Sequence, residues 1–455
     1  MKFDIAVIGG GPGGYTAAEQ AAKGGRSVVL FEKEDLGGTC LNRGCVPTKA
    51  LLHSAEAYAA LAHVQDLGVA VQGASYDFAA MHRRKDQIVD TLRQGVAKRM
   101  KASKVTVVAG QAQIQRAGLV TCSGEDYQVE DIIIATGSQV SYPPIPGIRL
   151  PGVYNSRDIL EGEGHDFRSL VIIGGGVVGV ECAVLYRRLG CEVTVLEAAD
   201  HLLPAMDREL AQRLAMVLKK QGVAVEVKAA VQKIEGTPGA MSVTYADKKG
   251  AEHTVTAQGV LAAAGRKANL EGLFGPDFSL ELDRGAIVGD AQGRTSVPHV
   301  YVIGDAKARN IQLAHVASAQ GENAAAVILG KRPPLDMNVV PSCIYTDPEI
   351  ASVGLTEEQA KGEEIPVKTA KALTGANGKC LIEGAESGYV KLVTDQATGR
   401  LLGAQLVCPR ATDMVGEAAL AIQRGLTAGE LADVIHPHPT FSEMLYDAAE
   451  SLRPE

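Results

Sequence analysis

The sequence predicts an α/β protein with two Rossmann-like dinucleotide-binding domains and a C-terminal α+β domain. Three observations lead to this fold class: a duplicated glycine-rich motif, an acidic residue at a matched distance after each copy, and a final stretch of different pattern. The 455 residues suffice for several domains of about 100–200 residues each. A charged fraction of 22% and a hydrophobic fraction of 46% are typical of globular proteins.

The first copy of the motif lies at the N-terminus. An apolar strand over 5–8 leads into a G-x-G-x-x-G pattern at Gly9, Gly11 and Gly14, and a second strand ends at Glu32. In such a pattern the first glycine permits the tight turn, the second lets the backbone approach a pyrophosphate, and the third allows the helix to pack closely on the strand. The terminal carboxylate is placed to accept hydrogen bonds from ribose hydroxyls.

The second copy repeats this arrangement. A strand over 170–173 leads into Gly174, Gly176 and Gly179, and a second strand ends at Glu197. In both copies the acid follows the first glycine by 23 residues. Because the strand context and the acid spacing recur together, a glycine turn without a ligand is a weak alternative. Two dinucleotide sites in one chain suggest a flavin that hands electrons to a nicotinamide.

Position indicates which copy holds which nucleotide. Only the first copy is followed directly by a cysteine pair, Cys40 and Cys45, so we assign FAD to the first copy and the nicotinamide to the second. Glu197 would attract a ribose 2′-hydroxyl and repel a 2′-phosphate. Residues 198–203 contain no arginine that could bind such a phosphate. The expected nicotinamide nucleotide is therefore NAD rather than NADP.

Proline-rich stretches at 143–147 and 332–334 indicate domain boundaries. Between the second of these and the C-terminus, strand-like runs alternate with a helix-like segment around 414–423, which suggests a separate α+β domain. We therefore divide the chain into four parts: an FAD-binding domain over 1–146, an NAD-binding domain over 147–268, a second part of the FAD-binding or central domain over 269–336, and the C-terminal domain over 337–455.

Charge and hydropathy exclude several classes of function. The net charge of −8 argues against a nucleic-acid partner, and no run approaches the roughly 18 apolar residues needed to span a membrane. The basic run 83–104 is interpreted as the solvated face of an amphipathic helix. The N-terminus lacks the features of a signal peptide, so we expect a reducing cytoplasm, where eight cysteines should be free, catalytic or metal-bound.

The C-x₄-C pair is the strongest chemical signal. Residues five apart in an ideal helix have Cα atoms about 8–9 Å apart by helix geometry, whereas disulfides usually need about 4.4–6.8 Å. A bridge between Cys40 and Cys45 therefore requires a distorted first helical turn, which Gly44 and Pro47 make plausible. Such a small ring should be reducible and hence catalytic. Zinc is a weak alternative because no second Cys/His pair has ligand spacing, so no metal is expected. Buried, inert thiols are the other alternative.

Two segments of the chain resemble those of a known family. The segment 37–49 resembles the redox-active signature of the pyridine nucleotide–disulfide oxidoreductases, and 436–443 is similar to their catalytic-base motif. Within the family, the H-x-H-P-T run and 194–197 resemble the lipoamide dehydrogenases. Glutathione reductases usually carry arginines after the second repeat and mercuric reductases a terminal vicinal cysteine pair, and this sequence has neither. Other matching runs are Ala135-Thr136-Gly137, Ala264-Gly265-Arg266, Gly304-Asp305 and Pro341-Ser342-Cys343-Ile344-Tyr345-Thr346.

The resemblance implies a division of labour among the catalytic residues. Cys45 would be the thiolate against the flavin, and Cys40 would exchange with the substrate. His438 of the partner subunit would be the acid/base, held in place by Glu443. A thiolate nucleophile, an imidazole base and a carboxylate behind it form a chemically coherent set. The resemblance therefore also implies a homodimer and a dimerisation role for the C-terminal domain.

Further site residues follow from the same resemblance. Lys49 and Glu181 would form an ion pair beside the flavin; Glu181 is special to the second copy, since its equivalent in the first is Thr16. Departures from the family are Val316, where relatives often have lysine, and Cys343, where they have an aliphatic residue. Additional expected contacts are Thr136, Gly137, Gly304, Asp305 and Ala314 for FAD, and Gly265 for NAD.

The expected activity is NAD-dependent oxidation of dihydrolipoyl groups. Their carriers would be lipoyl-bearing proteins of 2-oxoacid dehydrogenase or glycine cleavage complexes. Three alternatives stay open: a reductase of another disulfide, such as a glutathione-like molecule of low molecular weight, an NADH oxidase or diaphorase, and a flavoprotein without enzymatic activity.

Overall fold

The structure is a computed structural model that describes residues 1–385 and 388–453. Up to residue 268 strands alternate with helices around each glycine motif, and runs of consecutive strands follow at 106–140 and 224–268. The elements of 1–140 are β1 (Ile5–Ile8), α1 (Pro12–Lys23), β2 (Val28–Glu32), α2 (Gly38–Arg43), α3 (Cys45–Ala60), α4 (Phe78–Ala102), β3 (Thr106–Ala109), β4 (Ala112–Arg116), β5 (Leu119–Cys122), β6 (Glu125–Gln128), β7 (Asp131–Ile134) and β8 (Ser138–Val140). Those of 153–268 are β9 (Val153–Tyr154), α5 (Ser156–Leu160), β10 (Ser169–Ile173), α6 (Val177–Arg188), β11 (Glu192–Glu197), α7 (Arg208–Lys220), β12 (Ala224–Val227), β13 (Ala230–Thr237), β14 (Ala240–Ala246), β15 (Glu252–Ala257), β16 (Gly259–Ala262) and β17 (Arg266–Ala268).

The rest of the chain first returns to the N-terminal part and then forms a separate unit. Residues 282–328 contain β18 (Leu282–Asp283), β19 (Ala286–Ile287), β20 (Val300–Val302) and α8 (Ala314–Ile328). The C-terminal elements are β21 (Ser342–Ile344), β22 (Ile350–Gly354), α9 (Glu357–Gly362), β23 (Val367–Leu373), α10 (Gly378–Ile382), β24 (Tyr389–Asp395), β25 (Leu401–Val407), α11 (Ala411–Arg424), α12 (Ala428–Ala432) and α13 (Glu443–Glu450).

Two parallel sheets carry the duplicated motif. The first has the strand order β20-β7-β1-β2-β3, and the second β12-β11-β10-β16-β9. In each, the strand before the glycines is central and buried, except for Ser169 at the start of β10, because both faces of a parallel sheet are covered. Both glycine turns lie at the carboxyl ends of these strands, where α/β sheets bind ligands. The predicted fold class is confirmed, and the late strand β20 completes the first sheet.

The C-terminal unit is an antiparallel sheet with helices packed on it. Its strand order is β21-β22-β25-β24-β23, and β24 is buried along almost its whole length. Helices α11 and α13 pack on this sheet through Met414, Val415, Met444 and Leu445, which share one core with Leu406. The helix expected around 414–423 is part of α11. The four domain boundaries of the sequence analysis stay predictions.

The basic run of 83–104 forms most of α4, as its pattern predicts, but one lysine was wrongly assigned to the solvated face. Lys85 is only 1% exposed, and its ammonium donates to the carbonyl of Leu160 at 2.6 Å and contacts the carboxylate of Asp86 at 2.7 Å. Within 1–385 and 388–453, no helix combines the length and apolar character needed to cross a bilayer.

Candidate active site

The two cysteines of the C-x₄-C pair are joined by a disulfide. Cys40 lies in α2 and Cys45 is the first residue of α3, so their Cα atoms are 4.6 Å apart. The expectation of a distorted helical turn needs correction, since the chain breaks into two helices at Gly44. A Cβ at Gly44 would lie 2.9 Å from the carbonyl oxygen of Thr39, so a side chain there would prevent this close approach.

Lys49 and Glu181 meet one turn beyond the disulfide. The lysine ammonium donates to both carboxylate oxygens, at 2.8 and 2.7 Å. The Glu181 side chain is 5% exposed, and its Oε1 also accepts the backbone N–H of Tyr345 at 3.1 Å. The ammonium lies 4.6 Å from the centre of the Tyr345 ring, which is a cation–π distance. Sequence reasoning missed Tyr345 as a partner, although it lies in one of the matching runs.

The two glycine motifs have nearly the same geometry. Gly9 and Gly174 adopt φ of 107° and 108°, a region that favours glycine. A Cβ on Gly14 would lie 1.8 Å from the carbonyl of Gly9, and the corresponding distance from Gly179 to Gly174 is 2.0 Å. The third glycine of each copy is thus needed for helix–strand packing.

The second glycine of each copy faces open space. A Cβ on Gly11 would come no nearer than 3.8 Å to a heavy atom, and one on Gly176 would have none within 4 Å. Both glycines line a cavity, and each stands at the N-cap of a helix. The protein itself therefore leaves room where a pyrophosphate would approach backbone N–H groups.

The acids that end the two motifs also correspond. Glu32 accepts the backbone N–H groups of Gly10 and Glu34 at 2.7 and 2.8 Å. Glu197 accepts those of Gly175 and Ala199, both at 2.6 Å. Each carboxylate is thus fixed against its own glycine turn before any ribose binds.

An arginine that sequence reasoning did not consider follows the second acid eleven residues later along the chain. Arg208 begins α7 and pairs with the carboxylate of Asp200, close to Glu197 in sequence. The positive charge of Arg208, which could otherwise attract a 2′-phosphate, is therefore already compensated by Asp200. This arrangement agrees with the expected preference for NAD.

A single cavity of about 1600 Å³ brings most of the expected residues together. This volume exceeds the range of about 300–1000 Å³ that is usual for drug-sized ligands. Of the expected site residues, it is lined by Gly9, Gly11, Glu32, Cys40, Cys45, Lys49, Thr136, Gly137, Gly176, Glu181, Gly265, Gly304, Asp305 and Ala314. Gly14, Gly174, Gly179, Glu197, His438 and Glu443 do not line it.

Polar groups inside the cavity fit a flavin nucleotide. The buried hydroxyl of Thr136 has no hydrogen-bond partner in the protein, which suits a site that a ligand completes. Asp305 accepts the Ser138 hydroxyl at 2.6 Å, and Arg266 donates to the same hydroxyl at 2.7 Å. Burial lowers the pKa of the Arg266 guanidinium, while the charge of Asp305 opposes this shift. His315, beside Ala314, is held by the carbonyl of Pro341 at 2.8 Å.

His438 and Glu443 form a pair on the surface of the C-terminal unit. Nδ1 of the imidazole lies 2.8 Å from Oε1 of Glu443, and the ring is 78% exposed. The other oxygen of Glu443 accepts the backbone N–H of Thr440 at 2.8 Å. This N–H bond is the main cause of the lowered pKa of Glu443, followed by the bond from His438. Nε2 of His438 thus points away from the carboxylate and is available to a substrate.

The remaining cysteines are free thiols. Five are buried, as expected for small apolar residues, but Cys343 is half-buried and lines the cavity. Burial raises the pKa of the Cys343 thiol to about 11, which keeps it protonated near neutral pH. In the described parts of the chain, no group of three or more His, Cys, Asp or Glu side chains could hold a metal ion.

Comparisons with known proteins cover almost the whole chain. A family model described as pyridine nucleotide-disulphide oxidoreductase matches residues 3–321, and the dimerisation domain of the same family matches 340–449. Dihydrolipoyl dehydrogenases of Bacillus subtilis (strain 168) and Geobacillus stearothermophilus are each 38% identical, over 99% of this chain and 96% of the relative.

Solved structures share the same architecture. The Cu(II) complex of the HOCl-induced flavoprotein disulfide reductase RclA from Escherichia coli has a TM-score of 0.88 and 29% identity, over 100% of both chains. LpdA from Mycobacterium tuberculosis has a TM-score of 0.89 and 26% identity, over 99% of this chain and 100% of that one.

Proposed function

The chain belongs to the pyridine nucleotide-disulphide oxidoreductase family, and from this membership we propose that it is a dihydrolipoyl dehydrogenase. It would oxidise protein-bound dihydrolipoyl groups and reduce NAD to NADH. One observation carries the proposal: a disulfide between Cys40 and Cys45 opens onto the same cavity as both dinucleotide motifs. A dithiol substrate can therefore exchange with a protein disulfide that lies next to the site of a two-electron carrier.

Residues of the cavity and of the two glycine motifs fit FAD and NAD. Gly11 and the free hydroxyl of Thr136 would receive the flavin nucleotide, with Asp305 at its ribitol chain, and Gly176 and Glu197 would receive NAD. Bound FAD supplies the two-electron relay between the cysteine pair and NAD, the hydride acceptor. Other residues proposed to hold FAD are Gly9, Gly14, Glu32, Gly137, Gly304 and Ala314, and those proposed to hold NAD are Gly174, Gly179 and Gly265.

The dithiol step is proposed to use the chain's own groups. Nε2 of His438 takes a proton from one substrate thiol, because its Nδ1 is already bound to Glu443. The resulting thiolate attacks Cys40 Sγ, and Cys45 leaves as a thiolate. The second substrate thiol attacks the substrate sulfur of the mixed disulfide, and its proton passes to the departing Cys40 sulfur; Cys40 is then a thiol, Cys45 a thiolate, and the first proton stays on His438. Substrate and protein thereby exchange one disulfide for one dithiol, and the Lys49 ammonium lies beside the charge that develops.

The position of His438 favours a homodimer. His438 does not line the cavity of its own chain, and its exposed ring lies in the segment that matches the family's dimerisation domain. We propose that His438 of the partner subunit completes the site, in an isologous dimer. The substrate carriers would be lipoyl-bearing proteins of 2-oxoacid dehydrogenase or glycine cleavage complexes. The six free thiols support a reducing compartment such as the cytoplasm.

The test is NADH formation when the FAD-loaded protein meets dihydrolipoamide and NAD, followed at 340 nm, with NADP as control. We expect rapid NADH formation with NAD and little with NADP. A flavin-replete protein that forms none would contradict the proposed substrate. In that case oxidised glutathione and other small disulfides, tested with NADH, would show whether the chain is a reductase like the structurally similar flavoprotein disulfide reductase.

A further inference from the structure

A second histidine–glutamate pair lies two residues before the proposed base. The His436 side chain is only 5% exposed, although its neighbours Ile435, Pro437 and His438 are all exposed. Its Nε2 lies 2.9 Å from Oε1 of Glu417 in α11, and its Nδ1 lies 2.9 Å from the carbonyl oxygen of Val434. His436 is therefore the one side chain that turns inward from the segment 433–439.

Both ring nitrogens of His436 face oxygen atoms that can accept a hydrogen bond. The carbonyl oxygen of Val434 can only accept a hydrogen bond, and an ionised Glu417 carboxylate can only accept as well. The ring is thus held through both nitrogens, which fixes its orientation. When His436 is protonated, its charge lowers the pKa values of Glu443 and Asp447 in α13, although burial leaves that of Asp447 raised overall.

The segment that carries His438 is thus fixed on both sides. After it, Thr440 donates its backbone N–H to Glu443 and its hydroxyl to the carbonyl of Pro437 at 2.7 Å. Before it, Asp433 is bonded to Arg453, but Val434 and Ile435 are 53% and 95% exposed and contribute little packing. Between Asp433 and Pro437 the largely buried His436 is the anchor that the described residues provide, through Glu417 of α11 and a ring contact at 5.8 Å with Tyr446 of α13.

We infer that His436, held by Glu417, is a positioning residue that sets the place of His438 relative to the disulfide of the partner subunit. This inference rests on the proposed function, because it assumes that His438 handles the proton of the dithiol. A misplacement of about 1 Å at a reacting group can cost about a hundredfold in rate. The anchor acts on turnover rather than on substrate affinity, since the His436 side chain is only 5% exposed and its ring nitrogens are bonded to Glu417 and Val434 rather than open to a substrate.

The test compares His436→Phe with Glu417→Gln in the FAD-loaded full chain. His436→Phe keeps a ring and removes both ring nitrogens, whereas Glu417→Gln keeps an acceptor oxygen and removes its charge. The matched control is His253→Phe, which breaks another His–carboxylate pair, 3.1 Å from Asp247 and away from the cavity. Each variant is assayed for kcat and KM with dihydrolipoamide across pH, and for hydrogen–deuterium exchange of peptides covering 433–440.

For His436→Phe we expect kcat to fall at least about tenfold with KM within about threefold, and a smaller fall for Glu417→Gln. Because His436→Phe removes a group whose charge lowers the pKa of Glu443, the acid limb of the kcat profile should move to higher pH, since a less compensated carboxylate favours protonated His438. Exchange over 433–440 should accelerate in His436→Phe, while His253→Phe should match the wild type in every measurement.

Two results would overturn the inference: wild-type kcat and pH profile in His436→Phe, or unchanged exchange over 433–440. The exchange measurement needs no substrate. If the wild type itself forms no NADH from dihydrolipoamide, the proposed function fails, and the exchange data still decide whether His436 anchors the segment.

Discussion

Substitution of Gly176, the second glycine of the motif proposed to bind NAD, should weaken ligand binding without destabilising the fold. Gly176 is the N-cap residue of α6, and its φ of −73° is a backbone conformation that any residue adopts. Its counterpart Gly11 has nearly the same φ, −72°. A Cβ on Gly176 would meet no protein atom within 4 Å. Gly176→Ala should therefore change the free energy of unfolding by less than about 1 kcal/mol, the usual range for Gly and Ala at an N-cap.

The added methyl group would instead occupy the space where a pyrophosphate approaches the backbone. Loss of one hydrogen bond to a charged group costs about 1.5–3 kcal/mol, which corresponds to a rise in Kd of about 10- to 100-fold. We expect Gly176→Ala to raise the Kd for NAD by this factor. The measurement is a titration of the FAD-loaded protein with NAD by calorimetry, beside urea unfolding at fixed protein concentration.

Gly179→Ala is the matched comparison. Its Cβ would lie 2.0 Å from the carbonyl oxygen of Gly174, a backbone atom that can move only with its strand. Overpacking of this kind typically costs about 1–3 kcal/mol or more, so we expect this variant to lose stability first. The reasoning would be refuted if Gly176→Ala bound NAD with the wild-type Kd, or if it unfolded as readily as Gly179→Ala.

Further predictions concern the disulfide, the ion pair, the base and the dimer. Cys45→Ser should abolish dithiol turnover, and near-normal NADH formation would contradict its role. Lys49→Met leaves the more buried partner, Glu181, without its counter-ion, so it should lower the free energy of unfolding in urea by about 3 kcal/mol. Glu181→Gln should lower it by only about 1–2 kcal/mol, because Lys49 is 29% exposed. A larger loss in Glu181→Gln than in Lys49→Met would refute this reasoning. A lowered pKa keeps Glu443 ionised at pH values below its ordinary 4.5, and its effect is lost only as the pH falls through that lowered pKa. Glu443→Gln should therefore lower kcat by a similar factor from about pH 5 to 9, and a loss confined to one end of that range would be incompatible with this. Light scattering should show a dimer, and an active monomer would contradict the shared site.

The sequence predicted the features that depend on local backbone geometry. Gly9, Gly14 and their counterparts in the second copy are required by contacts within one strand–turn–helix unit, so spacing alone could reveal them. The disulfide could be predicted because both cysteines belong to one short segment. The break at Gly44 could not, because it depends on how closely that glycine approaches Thr39, and spacing does not record that distance.

Contacts between distant parts of the chain left no such pattern. Tyr345 reaches Glu181 across 164 residues, and Arg266 reaches Ser138 across 128. Both lie in runs that match the family, yet nothing in their local sequence indicates the partner. Lys85 was assigned to a solvated face because helical periodicity cannot tell that the end of the neighbouring helix α5 presents a carbonyl to its ammonium.

The asymmetry between the two copies arises from their neighbours rather than from their own backbone. Helix α1 of the first copy packs against α8, so closely that a Cβ on Gly321 would lie 2.4 Å from the carbonyl of Gly13. Helix α6 of the second copy packs instead against α3, the helix that begins at Cys45, and their apolar residues share one core. An acid at the position of Glu181 can therefore meet Lys49, whereas an acid at Thr16 would belong to the copy without such a neighbour. The ion pair thus joins α3, the helix that begins at Cys45, to α6, the helix that follows the second glycine motif. That contact explains why the acid occurs in only one copy.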